Sequence, residues 1–579
     1  MVLALVQRSF DAPGLVVFNT ALVLLIFFTL YRSARLLSPG PTVLAGLLLL
    51  GALASEPRFE VRPEIVSYLL LVLTLHLLHR RALGLPSPLW PLPLVFALWA
   101  NCHSFFLLGW TALACFAIGG WIRRGRPDRP LLGWSLAAVG ATFINPYGIS
   151  GVLFPFSVMG RMQSGNIFKQ TIGELASPLN PAIPQQFPFF PMFPVHCFQL
   201  FALGALISLP FLPRRRRYDL CLLAGAFLIP ATAMLRNMPW LVLTALPGMA
   251  HSFSPRQTAG KPLEAERWKR RLRLAALIAV SGMALGLTMR VVHGAYYIGS
   301  RRSTRSGFGW NEMNLPLAAA RYAETSSLGG PVLNHLNFGG VLMWKLRQPV
   351  FIHARLEVVG ESFYREYMQA LESEAALEAT VRRFGIEWII FPYVTNGDLL
   401  TRLGRDSRWR LAYVDSTAVI FLRNRPGAEA RVDPTLASRI TAEPRPLPIG
   451  SLPGLGGPPR KGAGARWVEG FFRREKYPWD DYALGLFHFF YGQPRRAEAH
   501  FGRAVQQSGG AYYELYLNLA ASLYWQHRYA EARACDRIVL ADDPGNALAR
   551  GRLERTRADP SSPQRDPGGA PPGPEPGSP

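Results

Sequence analysis

The sequence predicts a multi-span α-helical membrane protein of about ten transmembrane helices, followed by a small extracytoplasmic α/β domain and a short module of helical hairpins. Three observations carry that expectation. Only 17% of the 579 residues are charged, against about a quarter in a soluble domain. Apolar blocks separated by short Arg-rich strings fill the first three hundred residues. Beyond residue 300 the charges mix, and helix-like and strand-like stretches alternate. This pattern excludes a purely soluble enzyme and a disordered chain. At roughly 150 residues per domain, the length holds a membrane part and one or two soluble modules.

The membrane domain is read over 1–295, with apolar spans near 15–31, 41–55, 64–79, 88–102, 104–122, 131–146, 196–212, 218–235, 238–250 and 274–292. Several are shorter than the ~20 residues that cross a bilayer at right angles. Asn101, Cys102 and His103 separate the fourth from the fifth. Basic clusters follow only odd-numbered spans: Arg32 and Arg35, Arg80 and Arg81, Arg123 to Arg129, Arg214 to Arg217, and Arg267 to Arg273. One orientation therefore keeps every cluster in the cytoplasm. It makes the chain a multi-pass protein of the inner (plasma) membrane, with the N-terminus and everything beyond about residue 293 outside. Met1 to Pro13 holds no signal peptide with a charged start and a small-residue cleavage site. Either a short tail is translocated or an earlier span precedes the chain as given.

The net charge of +24 is of the kind that nucleic-acid binders carry. Here the basic runs lie between apolar segments, where loop retention explains them. The expected partner is the lipid bilayer, with no nucleic acid. Five cysteines form no CxxC pair and no zinc spacing.

In that orientation the polar landmarks gather at the outer face. Arg58, Glu60, Arg62 and Glu64 precede the third span; Asn101 and His103 lie between the fourth and fifth; Asn145 to Gly148 end the sixth; Glu174 lies in a long outer loop, 147–195; Arg236 and Asn237 lie between the eighth and ninth. Ionisable groups near hydrocarbon are costly and tend to mark sites. Each also has a plainer reading. Pro63 and Glu64 suit a helix N-terminus, Asn145-Pro146-Tyr147-Gly148 is a turn signal, His103 suits a hydrogen-bonded turn, and Arg236 suits snorkelling. Their shared sidedness suggests a cavity open to the outer side.

In order and spacing, RFEVRPE at 58–64, LWANCHSFFLLG at 98–109, INPYG at 144–148, IGELASP at 172–178, RNMPW at 236–240, NHLNFGGVLMWKL at 334–346, FIHARLE at 351–357 and WRLAYVDSTAVIF at 409–421 resemble a family of bacterial polytopic membrane proteins related to the GT-C class of glycosyltransferases. The resemblance implies transfer of a sugar from a polyprenyl-phosphate carrier at the outer face. It also implies an acidic residue in the first outer loop, as base or ligand to a divalent metal. That loop is not visible here; Asp11 is the only acid ahead of the first span. FIHARLE departs further, with His353 and Ala354 where relatives carry Asp and Gly, while Arg355 is retained. On this reading Glu174 and His103 are the candidate catalytic residues. Desolvation would raise the Glu174 pKa and make it a base. Arg62, Glu64, Asn101, Asn145, Tyr147, Arg236 and Asn237 are candidates for substrate binding, the two arginines toward phosphate oxygens. No metal ligands are assigned. The alternative is a catalytically inactive membrane scaffold. A transporter is disfavoured, because no inverted repeat or mid-span charge stands out.

From 300 to 425, helices are expected over 315–326 and 361–384 and strands over 331–334, 348–353, 386–391 and 418–423. Residues 426–465, rich in Pro, Gly and Arg, read as a partly disordered linker. Residues 466–556 read as repeats resembling tetratricopeptide units: Leu484, Gly485, Ala497, Phe501 and Ala504, then Leu519, Ala520, Ala532 and Pro544. The offset from Gly485 to Ala520 is 35 residues, against a nominal ~34. Asp536 stands where an aromatic is usual. Such a module either offers a groove to a protein partner or only packs on the α/β domain. Residues 557–579 have nothing apolar to bury and read as a disordered tail.

Overall fold

The computed structural model describes residues 2–37, 39–161, 167–183, 191–254, 263–299, 306–441, 447–460, 463–472 and 477–558. Of the expected disordered tail, 557–579, residues 557 and 558 close a helix and the rest lies outside the described residues. The chain is predominantly helical and divides into two compact units. One comprises Met1–Thr288 with Gly307–Gly309, the other Met289–Ser306 with Trp310–Pro579.

The first unit contains α1 (Val2–Arg35), α2 (Pro41–Ser55), α3 (Glu64–Ala82), α4 (Pro91–Cys102), α5 (Phe106–Arg124), α6 (Arg129–Ala141), α7 (Gly148–Arg161), α8 (Met192–Ser208), α9 (Tyr218–Ala233), α10 (Met238–Phe253) and most of α11 (Leu263–Val292). Every apolar segment read from the sequence falls on one of these helices. Among the described residues, four are by length and composition able to cross a membrane: Val2–Arg35, Glu64–Ala82, Phe106–Arg124 and Trp268–Val292. The others are shorter, several opened by proline at their first turn. α10 is apolar all round and buried along most of its length, as a central helix must be. The outward side chains are apolar too: Leu24, Phe28, Leu136, Leu200 and Ile229 are all exposed. An apolar exterior of this extent suits hydrocarbon rather than water. Gly119 allows α5 to lie directly against the backbone of Asp219 at the start of α9.

Two expectations change here. α1 begins at Val2, so residues 2–10 are helical rather than a tail, with a break at Asp11 (φ 51°, ψ −150°) ahead of Pro13. The outer loop 147–195 contains α7, an apolar helix with Pro155 inside it.

The second unit is built on a four-stranded mixed sheet of β1 (Val332–Asn334), β2 (Trp388–Phe391), β3 (Trp409–Val414) and β4 (Val419–Arg423), in the order β1-β2-β4-β3. β1 runs parallel to β2; β4 is antiparallel to both of its neighbours. Trp388, Ile390, Ile420 and Leu422 share a core with Ala319, Ala320, Ala323 and Leu342 of two flanking helices. On the opposite face Phe391 and Phe421 stack at 6.4 Å. The expected strand 348–353 is not one. Its backbone pairs instead with the Asn334 side chain, whose Oδ1 accepts from Phe351 N at 2.9 Å and whose Nδ2 donates to Ile352 O at 2.8 Å. WRLAYV at 409–414, not expected as a strand, takes a place in the sheet. The expected helix 361–384 is two helices, Glu361–Glu372 and Glu374–Phe384, because extended Ser373 (φ −122°) caps the second with its hydroxyl.

The segment read as a linker is packed where it is described. Leu452 is buried, Tyr516 Oη donates to Pro453 O at 2.5 Å, and Arg460 pairs with Asp542 at 2.5 Å. The expected repeats form two helical hairpins, Trp479–Phe490 with Pro494–Gln507 and Tyr513–Tyr524 with Tyr529–Asp542, followed by Ala547–Ala558. A Cβ at Gly485 would lie 2.6 Å from Phe501, so the small residue is needed where the helices cross. Asp536 stands in place of an aromatic because Arg552, from the following helix, reaches it at 2.7 and 3.0 Å and also donates to Leu517 O.

That pair is nearly inaccessible. Removing one partner strands a buried charge, which costs roughly 3–5 kcal/mol. Asp536→Ala should lower stability by that order in denaturant unfolding of the full chain, and Asp536→Leu with Arg552→Met should recover most of it. Equal loss in the single and double variants would refute the assignment.

Candidate functional site

Four separated stretches of the first unit bring charged or polar groups together. Arg58 ends a 3-10 turn, Glu56–Arg58, after α2; Glu64 opens α3; Glu174 sits in the turn Gly173–Leu175; Arg236 sits in the turn Leu235–Asn237 between α9 and α10. The last two turns are tied together. Leu235 N donates to Ala176 O at 2.8 Å, and Ser177 Oγ donates to Thr232 O at 2.7 Å.

Arg58 is the hub. Its Nε and Nη2 donate to Glu64 Oε1 at 2.8 and 2.5 Å, and its Nη1 donates to Glu174 Oε2. Arg58 and Glu64 are each 4% exposed. Burial works against the Arg58 charge, but the two carboxylates outweigh it and hold the guanidinium above its ordinary pKa. Arg62, more exposed, donates to the same Glu174 oxygen at 3.2 Å and to Glu60 at 2.8 Å. Arg58 was legible as a landmark but not as a site residue, since the sequence does not show which of two nearby arginines points inward.

The expectation of a raised Glu174 pKa is overturned. Burial pushes it up, but Arg58, Arg62 and Arg236 together hold it below the ordinary range. Glu174 is thus an ionised acceptor in an ion-pair network and a weak base. His103 follows α4, with its Nδ1 3.3 Å from Phe105 N as acceptor and its ring edge-on to Phe105 at 4.2 Å. Burial, and then the Arg236 and Arg58 cations, push its pKa down to about 4. His103 is therefore neutral at neutral pH. Arg236 acts electrostatically on Glu174, His103 and Tyr68. It is half-buried and, among the described residues, makes neither a hydrogen bond nor an ion pair.

The remaining candidates play local parts. Asn145 closes its own turn: Nδ2 donates to Thr142 O and Gly148 O, and Oδ1 accepts from Tyr147 N. Tyr147 is 77% exposed and, among the described residues, makes no hydrogen bond to the charged cluster. Asn101 Nδ2 donates to Ile144 O at 2.6 Å and so ties the end of α4 to the same turn. Asn237 is buried and donates to Pro230 O at 2.9 Å. For these four, the turn-building reading fits the contacts. The residues do not fit a divalent metal: no group of three or more His, Cys, Asp or Glu side chains is arranged to hold one among the described residues, and Glu64 and Glu174 are both committed to Arg58.

No protein-family model and no curated protein matches this sequence.

A carboxyl held below its ordinary pKa is stabilising above that pKa, about 4.3 for Glu. The contribution is lost as pH falls through the lower folded value. Thermal unfolding of the detergent-solubilised chain between neutral and acid pH should therefore show an acid-side loss that Glu174→Gln makes shallower. An identical pH dependence in the variant would remove Glu174 from the network.

Proposed function

We propose that the first unit is a polytopic domain of the inner membrane that receives the phosphate of a polyprenyl-linked sugar at its outer face, and that the chain is a GT-C-like glycosyltransferase. The observation that carries this reading is Arg236, a cation without a hydrogen bond or ion pair among the described residues, beside a buried ion-pair network and next to an exterior apolar enough for a lipid tail. About ten spans, with the sheet-bearing unit and its tetratricopeptide-like hairpins outside the membrane, follow from the sorting of basic clusters.

Phosphate oxygens would accept from Arg236 and from the outer guanidinium of Arg62, whose side chain is 42% exposed. Such charge-assisted contacts fit Arg geometry. In transfer, an acceptor hydroxyl bonds to the anomeric carbon as the carbon–oxygen bond to phosphate breaks. The phosphate leaves with the electron pair, its charge held by the two arginines, and the hydroxyl proton passes to neutral His103. Glu174 holds Arg58 and Arg62 in place. No step passes through a metal.

One observation favours the alternative of an inactive scaffold with a partner-binding hairpin module. Both carboxylates already accept hydrogen bonds from Arg58, leaving His103, a poor base, as the proton acceptor. Against a free groove, the first hairpin helix is already engaged within the chain: Thr401 Oγ1 donates to Phe490 O at 2.9 Å, and Trp479 Nε1 donates to Ser416 O at 3.1 Å.

Binding of a polyprenyl phosphate and of the matching polyprenol to the reconstituted full chain tests the site. Hydrogen bonds to a charged group contribute ≈ 1.5–3 kcal/mol, so Arg236→Gln should weaken phosphate binding by roughly 10- to 100-fold and leave the alcohol unaffected. Equal binding of both lipids would overturn the site. Phosphate-selective binding without sugar transfer in a lipid-linked-sugar assay would favour the scaffold.

A further inference from the structure

Beyond its basic start, which runs to Arg273, the helix α11 is apolar over 274–292, and none of its membrane-length apolar window is buried. Its last turn, from Met289, belongs to the second unit. There it meets two short helices. Ala295–Gly299 follows immediately and packs on Ala463–Phe472. The guanidinium of Arg290 lies 5.7 Å from the ring of Phe471. The helix Ala463–Phe472, AGARWVEGFF, is thus held against the end of a segment long enough to cross a bilayer.

That helix leaves large apolar side chains uncovered. Phe472 is 78% exposed and Val468 is 51% exposed. They are four residues apart, so they share one helix face. Phe471 and Phe472 lie 6.5 Å apart. In sequence, Arg466 precedes this pair and Arg473, Arg474 and Lys476 follow it. Apolar residues flanked in sequence by basic ones are the composition of helices that lie in the plane of a membrane interface. Aromatic rings are favoured at that depth, and Tyr296 and Tyr297, edge to face at 5.5 Å, stand on the neighbouring helix.

We propose that Ala463–Phe472 is an interfacial membrane helix, with Val468 and Phe472 seated in the headgroup–acyl boundary of the leaflet at which α11 ends. The partner is the phospholipid surface. The argument for lipid over a protein partner is continuity: Arg290, in the last turn of the apolar helix, touches the proposed surface helix directly, so any bilayer around α11 ends beside it. The consequence is a second unit fixed at the membrane by two elements, one crossing it and one lying on it. This inference rests on the membrane reading of α11.

The test places a photo-crosslinking benzoyl-phenylalanine at single positions in the full chain, reconstituted in nanodiscs of phosphatidylcholine and phosphatidylglycerol, with adducts identified by mass spectrometry. Position 472 is a near-isosteric change and 468 is an independent second site. Leu285, 59% exposed on α11, reports on the bilayer; Arg382, an exposed side chain, serves as the aqueous control. Phospholipid adducts at 472 and 468 comparable with those at 285, and none at 382, support the proposal. Adducts at 285 alone overturn it while leaving the membrane reading intact. Adducts from 472 and 468 to protein identify a protein cover and also overturn it. Absence of lipid adducts at 285 removes the membrane reading and the proposal with it.

Discussion

A guanidinium with almost no access to solvent must find acceptors inside the protein, and Arg58 sets much of the surrounding arrangement by that need. It draws Glu64, at the first turn of a long apolar helix, and Glu174, more than a hundred residues later, onto one charged group. Breaking a buried pair is expensive because the survivor is left uncompensated. The turn carrying Glu174 is therefore pinned, and through the Leu235–Ala176 hydrogen bond the turn carrying Arg236 is pinned with it. The position of Arg236, which makes no ion pair among the described residues, is in this way a consequence of the paired arginines.

The network also decides what chemistry its members can do. A carboxylate that accepts from two arginines is a good anchor and a poor proton acceptor, whatever its depth. Burial alone would have raised the Glu174 pKa, and two cations within bonding distance outweigh burial. Burial, with the Arg236 and Arg58 cations, keeps His103 uncharged. The site is thus suited first to holding an anion, and its capacity for proton transfer rests on a single imidazole.

The helices were the most legible part of the chain, because apolar blocks bounded by proline, glycine and arginine leave little alternative. The expected grouping of polar landmarks brought Arg62, Glu64, Glu174, His103 and Arg236 to notice, and these do come together. What could not be read was which contacts are local. Asn145 answers its own turn within three residues, and no linear pattern separates that from a ligand-binding amide. Strand 409–414 was missed because WRLAYV carries arginine within an apolar run. The segment 348–353 was over-read because its β-branched and aromatic composition is that of a strand, while its hydrogen bonds go to a side chain. The 447–460 stretch looked like a tether by composition, yet Leu452 and Pro453 find a surface to bury against.

The Asn334 carboxamide has a consequence beyond its own contacts. β1 is an outermost strand, with an open row of backbone donors and acceptors on the side away from β2. Such a row invites an additional strand from another molecule. By presenting an amide that mimics one peptide unit, Asn334 engages residues 351 and 352 through its side chain, so this segment is held by β1 without becoming a strand of the sheet. One short polar side chain thereby supplies backbone partners to a segment of strand-like composition that adds no strand to the sheet.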